Sequence, residues 1–329
     1  MSSVMIDFEG QRYVSPFTDF GLKRIFGDKE LLLSFLNSLS LCSDEIVDVV
    51  MDNTEQVSTY FDERMPIFDL YCHTSTGERI IVEMQSTMHR AFVERAAYYN
   101  AVALTKQAER GSKWVEGVKE GGEGGEKEKE RVEWKYKDMK AVYLIAFLNF
   151  KDPNLDEDVI TTVKFCSTKT GKVVTNIQTM LFIQLPYFNK TDDECDTMID
   201  KWIKNMCNME DNRKLAFDED PIFRRLEEVG SLAALTDKER DRYEIAWKRR
   251  QDALDYYYDA IEQGIEKGRA EGKAEGKAEG RAEERAEMIL GCKNYGLSYE
   301  AISKIAKTDV NTVIMILKEA ENGKPFGES

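Results

Sequence analysis

The chain has 329 residues, 42% of them hydrophobic and 33% charged, with a formal net charge of −15 at pH 7. That much apolar material excludes wholesale disorder, and the length exceeds one ordinary domain and leaves room for appendages. The acidic balance argues against a protein that coats nucleic acid by neutralising phosphates, although a cleft can still gather basic side chains within an acidic surface.

Ser15-Pro16 ahead of Phe17, Phe20, Leu22, Ile25 and Phe26 predicts a helix with Ser15 at the N-cap and Pro16 at its first position, ended by Gly27. Asp28 then caps a second helix, whose Leu31, Leu32, Phe35, Leu36 and Leu39 recur at helical spacing. The period changes next. Ile46–Met51, Met65–Cys72 and Arg79–Gln85 are short β-rich runs, and Thr74-Ser75-Thr76-Gly77 reads as a hairpin turn between the last two. Met88 to about Arg110 is alanine-rich and helical, and Val142–Leu148 and Met180–Leu185 supply two more strands. Between them Glu116–Arg131, EGVKEGGEGGEKEKER, offers almost nothing to a core and reads as a flexible acidic and glycine-rich surface loop. The order helix, helix, three strands, helix, strand, strand predicts a mixed sheet flanked by helices, in the α/β or α+β class.

Cys195 to about Leu254 is helical in pattern. Gly264, Gly268, Gly272, Gly276 and Gly280 then recur every four residues among alternating Glu and Lys/Arg. Each glycine weakens a helix by about 1 kcal/mol, offset in part by i,i+3 and i,i+4 charge pairs. Two readings stand: a semi-rigid helical spacer, or a glycine row for close packing against a second chain. Met288–Asn294, Tyr299–Ala306 and Val310–Ala320 make a small tail of helix-turn-helix-like size. Docking or oligomerisation suits this tail at least as well as reading DNA.

Several chemistries find no support. Cys42, Cys72, Cys166, Cys195, Cys207 and Cys292 form no CxxC pair, and His73 and His89 complete a poor set of soft ligands, so free thiols are expected and a structural zinc site is not. Scarce histidine and the lack of a G-x-S-x-G elbow or a phosphate-cradling glycine loop count against Ser-His-Asp and nucleotide-binding chemistry. With no long apolar run and no secretory leader pattern, a cytoplasmic protein without a membrane span is expected.

The residues that carry chemistry lie in Pro66-Ile67-Phe68-Asp69-Leu70 and Glu78-Arg79-Ile80-Ile81-Val82-Glu83-Met84-Gln85. Side chains alternate along a strand, so Glu83 and Gln85 share one face and Val82 and Met84 the other. If the hairpin pairs these strands, Asp69 lies beside Glu83. Two converging carboxylates make an oxygen site for a hard ion such as Mg²⁺, which lowers the pKa of bound water and neutralises a scissile phosphate.

An Asp followed after thirteen residues by ExK across a hairpin is the PD-(D/E)XK nuclease signature, filled here by Asp69, Glu83 and Gln85 with Gln in place of Lys. More specifically, the chain resembles the Rpn recombination-promoting nuclease / PD-(D/E)XK nuclease family transposase group. The matching stretches are SPFTDFGLKRIFG, LLLSFLNSL, FDLYC, GERIIVEMQ, Arg95-Ala96-Ala97-Tyr98-Tyr99, RGSKW, KAVYLIAFLNF and the glycine-glutamate tail. The resemblance implies a PD-(D/E)XK restriction-endonuclease-like α/β domain over 1–190, carrying the 116–131 insertion. A helical region (191–260), the repeat spacer (261–287) and the helical tail (288–329) would follow it. It further implies that Gln at the third position is usual within the group.

By the same resemblance Asp19 joins Asp69, Glu83 and Gln85 as a catalytic residue, holding a second metal or a water. Its rival role is that of a helix-start carboxylate facing the dipole. Arg95 and Tyr98 contact substrate phosphate, or else serve as a structural ion pair and a core aromatic. The function expected is a Mg²⁺- or Mn²⁺-dependent endodeoxyribonuclease tied to recombination or mobile DNA, self-associating through the repeat and the C-terminal helices. The alternative is a degenerate nuclease fold acting as a DNA- or protein-interaction scaffold.

Overall fold

The computed structural model describes residues 10–42, 44–52, 68–111, 114–117, 128–131 and 136–321. It forms two compact units, Met1–Leu254 and Asp255–Ser329.

The first unit is built on a mixed sheet of six strands. Helices α1 (Asp19–Phe26) and α2 (Lys29–Ser38) precede β1 (Val49–Met51), β2 (Leu70–Thr74) and β3 (Arg79–Gln85). The start of the expected strand at Met65, together with Pro66 and Ile67, lies outside the described residues. Gly77, at φ 98°, makes the β2–β3 hairpin turn in a conformation that side chains with a Cβ resist. Helix α3 (Phe92–Gly111) then crosses over, and β6 (Val142–Leu148) pairs parallel to β3. β6 is buried at every position, as a strand covered on both faces must be, which is why its sequence is an unbroken apolar run. β8 (Val173–Gln184) pairs parallel to β6, and β7 (Ile160–Cys166) closes the edge antiparallel to β8.

Two apolar layers cover the sheet. Ile80, Val82, Met84, Tyr143, Ile145 and Phe147 join α1 and α2 in one core. Helices α4 (Met198–Glu210), α5 (Pro221–Gly230) and the start of α6 (Asp237–Asn294) add Trp202, Phe223 and Tyr243 to the same core. On the opposite face Ile81, Leu144, Ala146 and Phe182 meet Phe92, Ala96 and Ala103 of α3. The alternation that sorts Ile80 from Ile81 also decides the fate of Glu83, which continues the α3 side.

Three sequence expectations are corrected. Helix α1 starts at Asp19, with Thr18 as its N-cap accepting from the Gly21 N–H at 3.0 Å, not at Pro16 with Ser15 as cap. Ser15 is drawn elsewhere: its N–H donates to the Tyr243 hydroxyl, and its own hydroxyl bonds Glu210. A Cβ on Gly21 would collide with the Ser15 carbonyl oxygen, so this glycine is what lets α1 start there.

The second correction is β7, absent from the expected order, together with the exposed first half of β8, which extends the expected Met180–Leu185 run toward the N-terminus. The third is the acidic insertion. Its borders pair as an antiparallel ribbon of β4 (Trp114–Gly117) and β5 (Glu128–Arg131), and 118–127, the centre of the expected loop, lie outside the described residues.

In the second unit α6 runs on through the glycine repeat to Asn294, where Ile289 meets Ile302 of α7 (Tyr299–Ile305) and Val313 and Leu317 of α8 (Val310–Glu321) in a small core of their own. Among the described residues no helix is long and apolar enough to cross a membrane.

Candidate active site

The β2–β3 register sets Leu70 opposite Val82 and Tyr71 opposite Ile81, so one step further along Asp69 faces Glu83. The two residues are stitched together reciprocally. The Asp69 N–H donates to Glu83 Oε1 at 3.2 Å, and the Met84 N–H donates to Asp69 Oδ2 at 3.0 Å. Each carboxylate is thus fixed by the backbone of the other strand and cannot swing away without breaking a strand-end hydrogen bond.

Glu83 is only 3% exposed and Asp69 is partly buried. Removal from water pushes the Asp69 carboxyl up to about 6, against the Met84 N–H, which lowers it; the negative charge of Asp19 adds to the rise. Burial raises Glu83 well above the carboxylate range, and the neighbouring Asp69 charge raises it further. Two desolvated acids side by side each resist ionisation, and a nearby positive charge is what would offset that.

Gln85 follows on the same strand face. Its amide nitrogen sits 3.5 Å from Glu83 Oε2, a long contact, while its carbonyl accepts from Arg95 at 2.7 Å. Arg95 reaches it from α3, its guanidinium 5.1 Å from the Phe92 ring centre and 5.9 Å from that of Tyr99. The guanidinium charge lowers both carboxyls, and its Nε is buried without a hydrogen-bond partner. A guanidinium held by Gln85 thus places a positive charge near both carboxyls.

The other sequence candidates separate. Asp19 opens α1, where it stands in the first helical turn and pairs with Lys23 at 2.6 Å, and the charges of both residues are felt at Asp69. The first-turn position is the one its role as a helix-start carboxylate requires. Tyr98 is 47% exposed, and the aromatic ring beside Arg95 is that of Tyr99, which also feels the Glu83 charge. Sequence reasoning passed over Tyr99, yet Phe92, Arg95 and Tyr99 stand at i, i+3 and i+7, the spacing of one helix face. It passed over Lys23 as well, whose position one turn after Asp19 was the available signal.

The donor set fits a hard divalent ion. It is made of oxygens, in the form of a desolvated carboxylate pair short of positive charge. Among the described residues no group of three or more His, Cys, Asp or Glu side chains assembles for a metal, so water and phosphate would complete the shell.

Residues 16–120 and 126–260 match the family model described as PD-(D/E)XK nuclease family transposase. The match takes in Asp19, Asp69, Glu83, Gln85 and Arg95, and it continues through α4, α5 and the first part of α6. No curated protein and no solved structure gives a match.

Proposed function

The chain belongs to the PD-(D/E)XK nuclease family transposase family, and from that membership and the carboxylate geometry we propose that it is a Mg²⁺- or Mn²⁺-dependent endonuclease that hydrolyses DNA phosphodiester bonds. The observation that carries this reading is the reciprocal stitching of Asp69 and Glu83, two acids held together where both resist ionisation. A protein gains nothing in stability from such a pair, and a bound cation relieves it.

In this reading Asp69 and Glu83 hold the ion, which when bound polarises the scissile phosphate and acidifies a water. Gln85 is kept in one orientation by Arg95, so that its amide faces Glu83 and can orient the attacking water by hydrogen bonding. Arg95 stabilises charge that gathers on phosphate oxygens, with its unpartnered Nε as the donor in reserve. Asp19 and Lys23, one acid and one cation on the first turns of α1, flank the pair and bias where water and phosphate settle. The transposase designation of the family supports a place in DNA recombination or mobility.

Supercoiled plasmid is the substrate that tests this. Wild-type chain with Mg²⁺ or Mn²⁺ should nick it, EDTA should stop the reaction, and Asp69→Ala and Glu83→Ala should each abolish it. Folded wild-type protein that leaves plasmid intact, or variants that cut as well as the parent, would leave the fold as an interaction scaffold.

A further inference from the structure

The acidic chain gathers cations at one place. Between α1 and the first turns of α6 lies a cleft of about 650 Å³, lined by Asp19, Lys23, Arg24, Glu239, Arg242 and Arg249 among others. A second hollow of about 270 Å³ shares Asp19, Ala246 and Arg249 with it and continues to Ser86, Thr87 and Arg250. The two hollows adjoin through Asp19, Ala246 and Arg249 and reach Ser86, the residue directly after Gln85 at the end of β3, and Asp19, which lines both, is the acid whose charge is felt at Asp69.

The charges along this groove can be accounted for one by one. Lys23 pairs with Asp19 at 2.6 Å, Arg24 with Glu239 at 2.7 Å, and Arg250 with Glu210. Arg250 is further held by the Ser86 and Ser15 hydroxyls at 3.0 and 3.2 Å. Arg242 and Arg249 are left over. Both are exposed, and among the described residues neither has an ion-pair partner. They stand seven residues apart on α6, two turns along one face, with Ala246 between them and Ala253 beyond. Ile245 and Ala246 line the groove between the arginines, and Arg250 ties this face of α6 to Ser86 just past β3, so the cations are carried on a rigid element.

Resting on the nuclease reading, we propose that this groove is the track for the DNA substrate, with Arg242 and Arg249 contacting its phosphate backbone and leading the strand to Asp69 and Glu83. Contacts of this kind position a duplex and carry no sequence information. They also resolve how a chain of net charge −15 engages a polyanion: the cations needed are few, local and otherwise unpaired.

The test measures binding of a fluorescent duplex to the full chain by anisotropy, in Mg²⁺ and across a salt series, with Glu83→Gln as the uncut parent. Adding Arg242→Gln and Arg249→Gln together should weaken binding alike for duplexes of unrelated sequence. The slope of log K against log salt should fall by about 2, close to 0.9 per lost phosphate contact. Lys267→Gln with Arg269→Gln, on the exposed repeat, should leave the slope unchanged. Equal slopes for the parent and the α6 double variant overturn the track while leaving plasmid cleavage to speak for the nuclease. An equal loss in the repeat variant also overturns it, since binding would then follow overall charge. A parent that binds no duplex, from a wild-type chain that cuts no plasmid, overturns both readings together.

Discussion

Helix α6 is two different objects in one element. Its first turns carry Tyr243, fully buried in the main core, and Arg250, whose guanidinium bonds Glu210, Ser86 and Ser15. Residues 259–279, in the second unit, are exposed at every position, and a Cβ added at any of the five repeat glycines would meet nothing within 4 Å. The first stretch is helical because tertiary packing makes it so, which is how most protein helices are stabilised. The second must rely on local terms, the helix propensity of Ala, Glu, Lys and Arg and pairs such as Lys267–Glu271 at 3.8 Å, against a glycine in every turn. The lesson is that a continuous helix need not be continuous in what sustains it, and that the arginines proposed to contact DNA belong to the packed stretch.

The contrast can be broken most severely at Arg250. Arg250→Met should cost about 3 kcal/mol of stability in chemical denaturation, because it removes the cation from the largely buried Glu210 carboxylate and leaves it only the Ser15 hydroxyl. Arg269→Met in the repeat should produce no measurable change. A comparable loss from both would mean that the two stretches do not differ in kind. Tyr243→Phe tests the packed stretch more gently. It keeps the ring and removes the acceptor for the Ser15 N–H, so a loss of about 1–3 kcal/mol is expected from a buried donor left unsatisfied. A neutral result would show that the Ser15 N–H finds another acceptor. At the small end, Gly272→Ala should raise the melting temperature of the repeat helix, by about 1 kcal/mol in free energy, followed by circular dichroism. If the glycine row instead packs against a second chain, the same substitution should weaken self-association in sedimentation equilibrium.

Most of the first unit could be read from the residues, and the failures have physical reasons. β6 was legible to the residue because it is buried and apolar along its length, and β3 because Ile80, Ile81, Val82 and Met84 give its buried middle the same signal between polar ends. β7 was not, since an edge strand exposing Lys164, Phe165 and Cys166 lacks the apolar run by which buried strands announce themselves. The start of α1 was misplaced because Ser15-Pro16 is a good local helix start, and only contacts with Glu210 and Tyr243, some two hundred residues away, divert Ser15. At the site, Asp69, Glu83 and Gln85 followed from strand alternation and hairpin register, which are local rules. The partnership of Gln85 with Arg95, the placement of the Tyr99 ring beside Arg95, and the groove under α6 depend on how separate elements meet, which no local rule supplies.

The central claim is that Asp69 and Glu83 form a cation-holding pair that burdens the protein when empty. Asp69 has its folded pKa raised to about 6 from 3.8 in the unfolded chain, so the native state binds the extra proton between those values. Stability of the metal-free protein should therefore be highest below the unfolded pKa and fall as pH rises through the window, with the raised Glu83 extending the fall upward. The most direct measurement is thermal unfolding from pH 4 to pH 7.5, with and without Mg²⁺, of wild type beside Asp69→Asn and Glu83→Gln. The account predicts that metal-free wild type weakens with rising pH and that Mg²⁺ restores it near pH 7, while each variant loses the response to the ion and part of the slope, its remaining buried acid keeping the rest. A metal-free wild type that is stabilised as pH rises through this window, or variants that respond to Mg²⁺ as strongly as the parent, would contradict it.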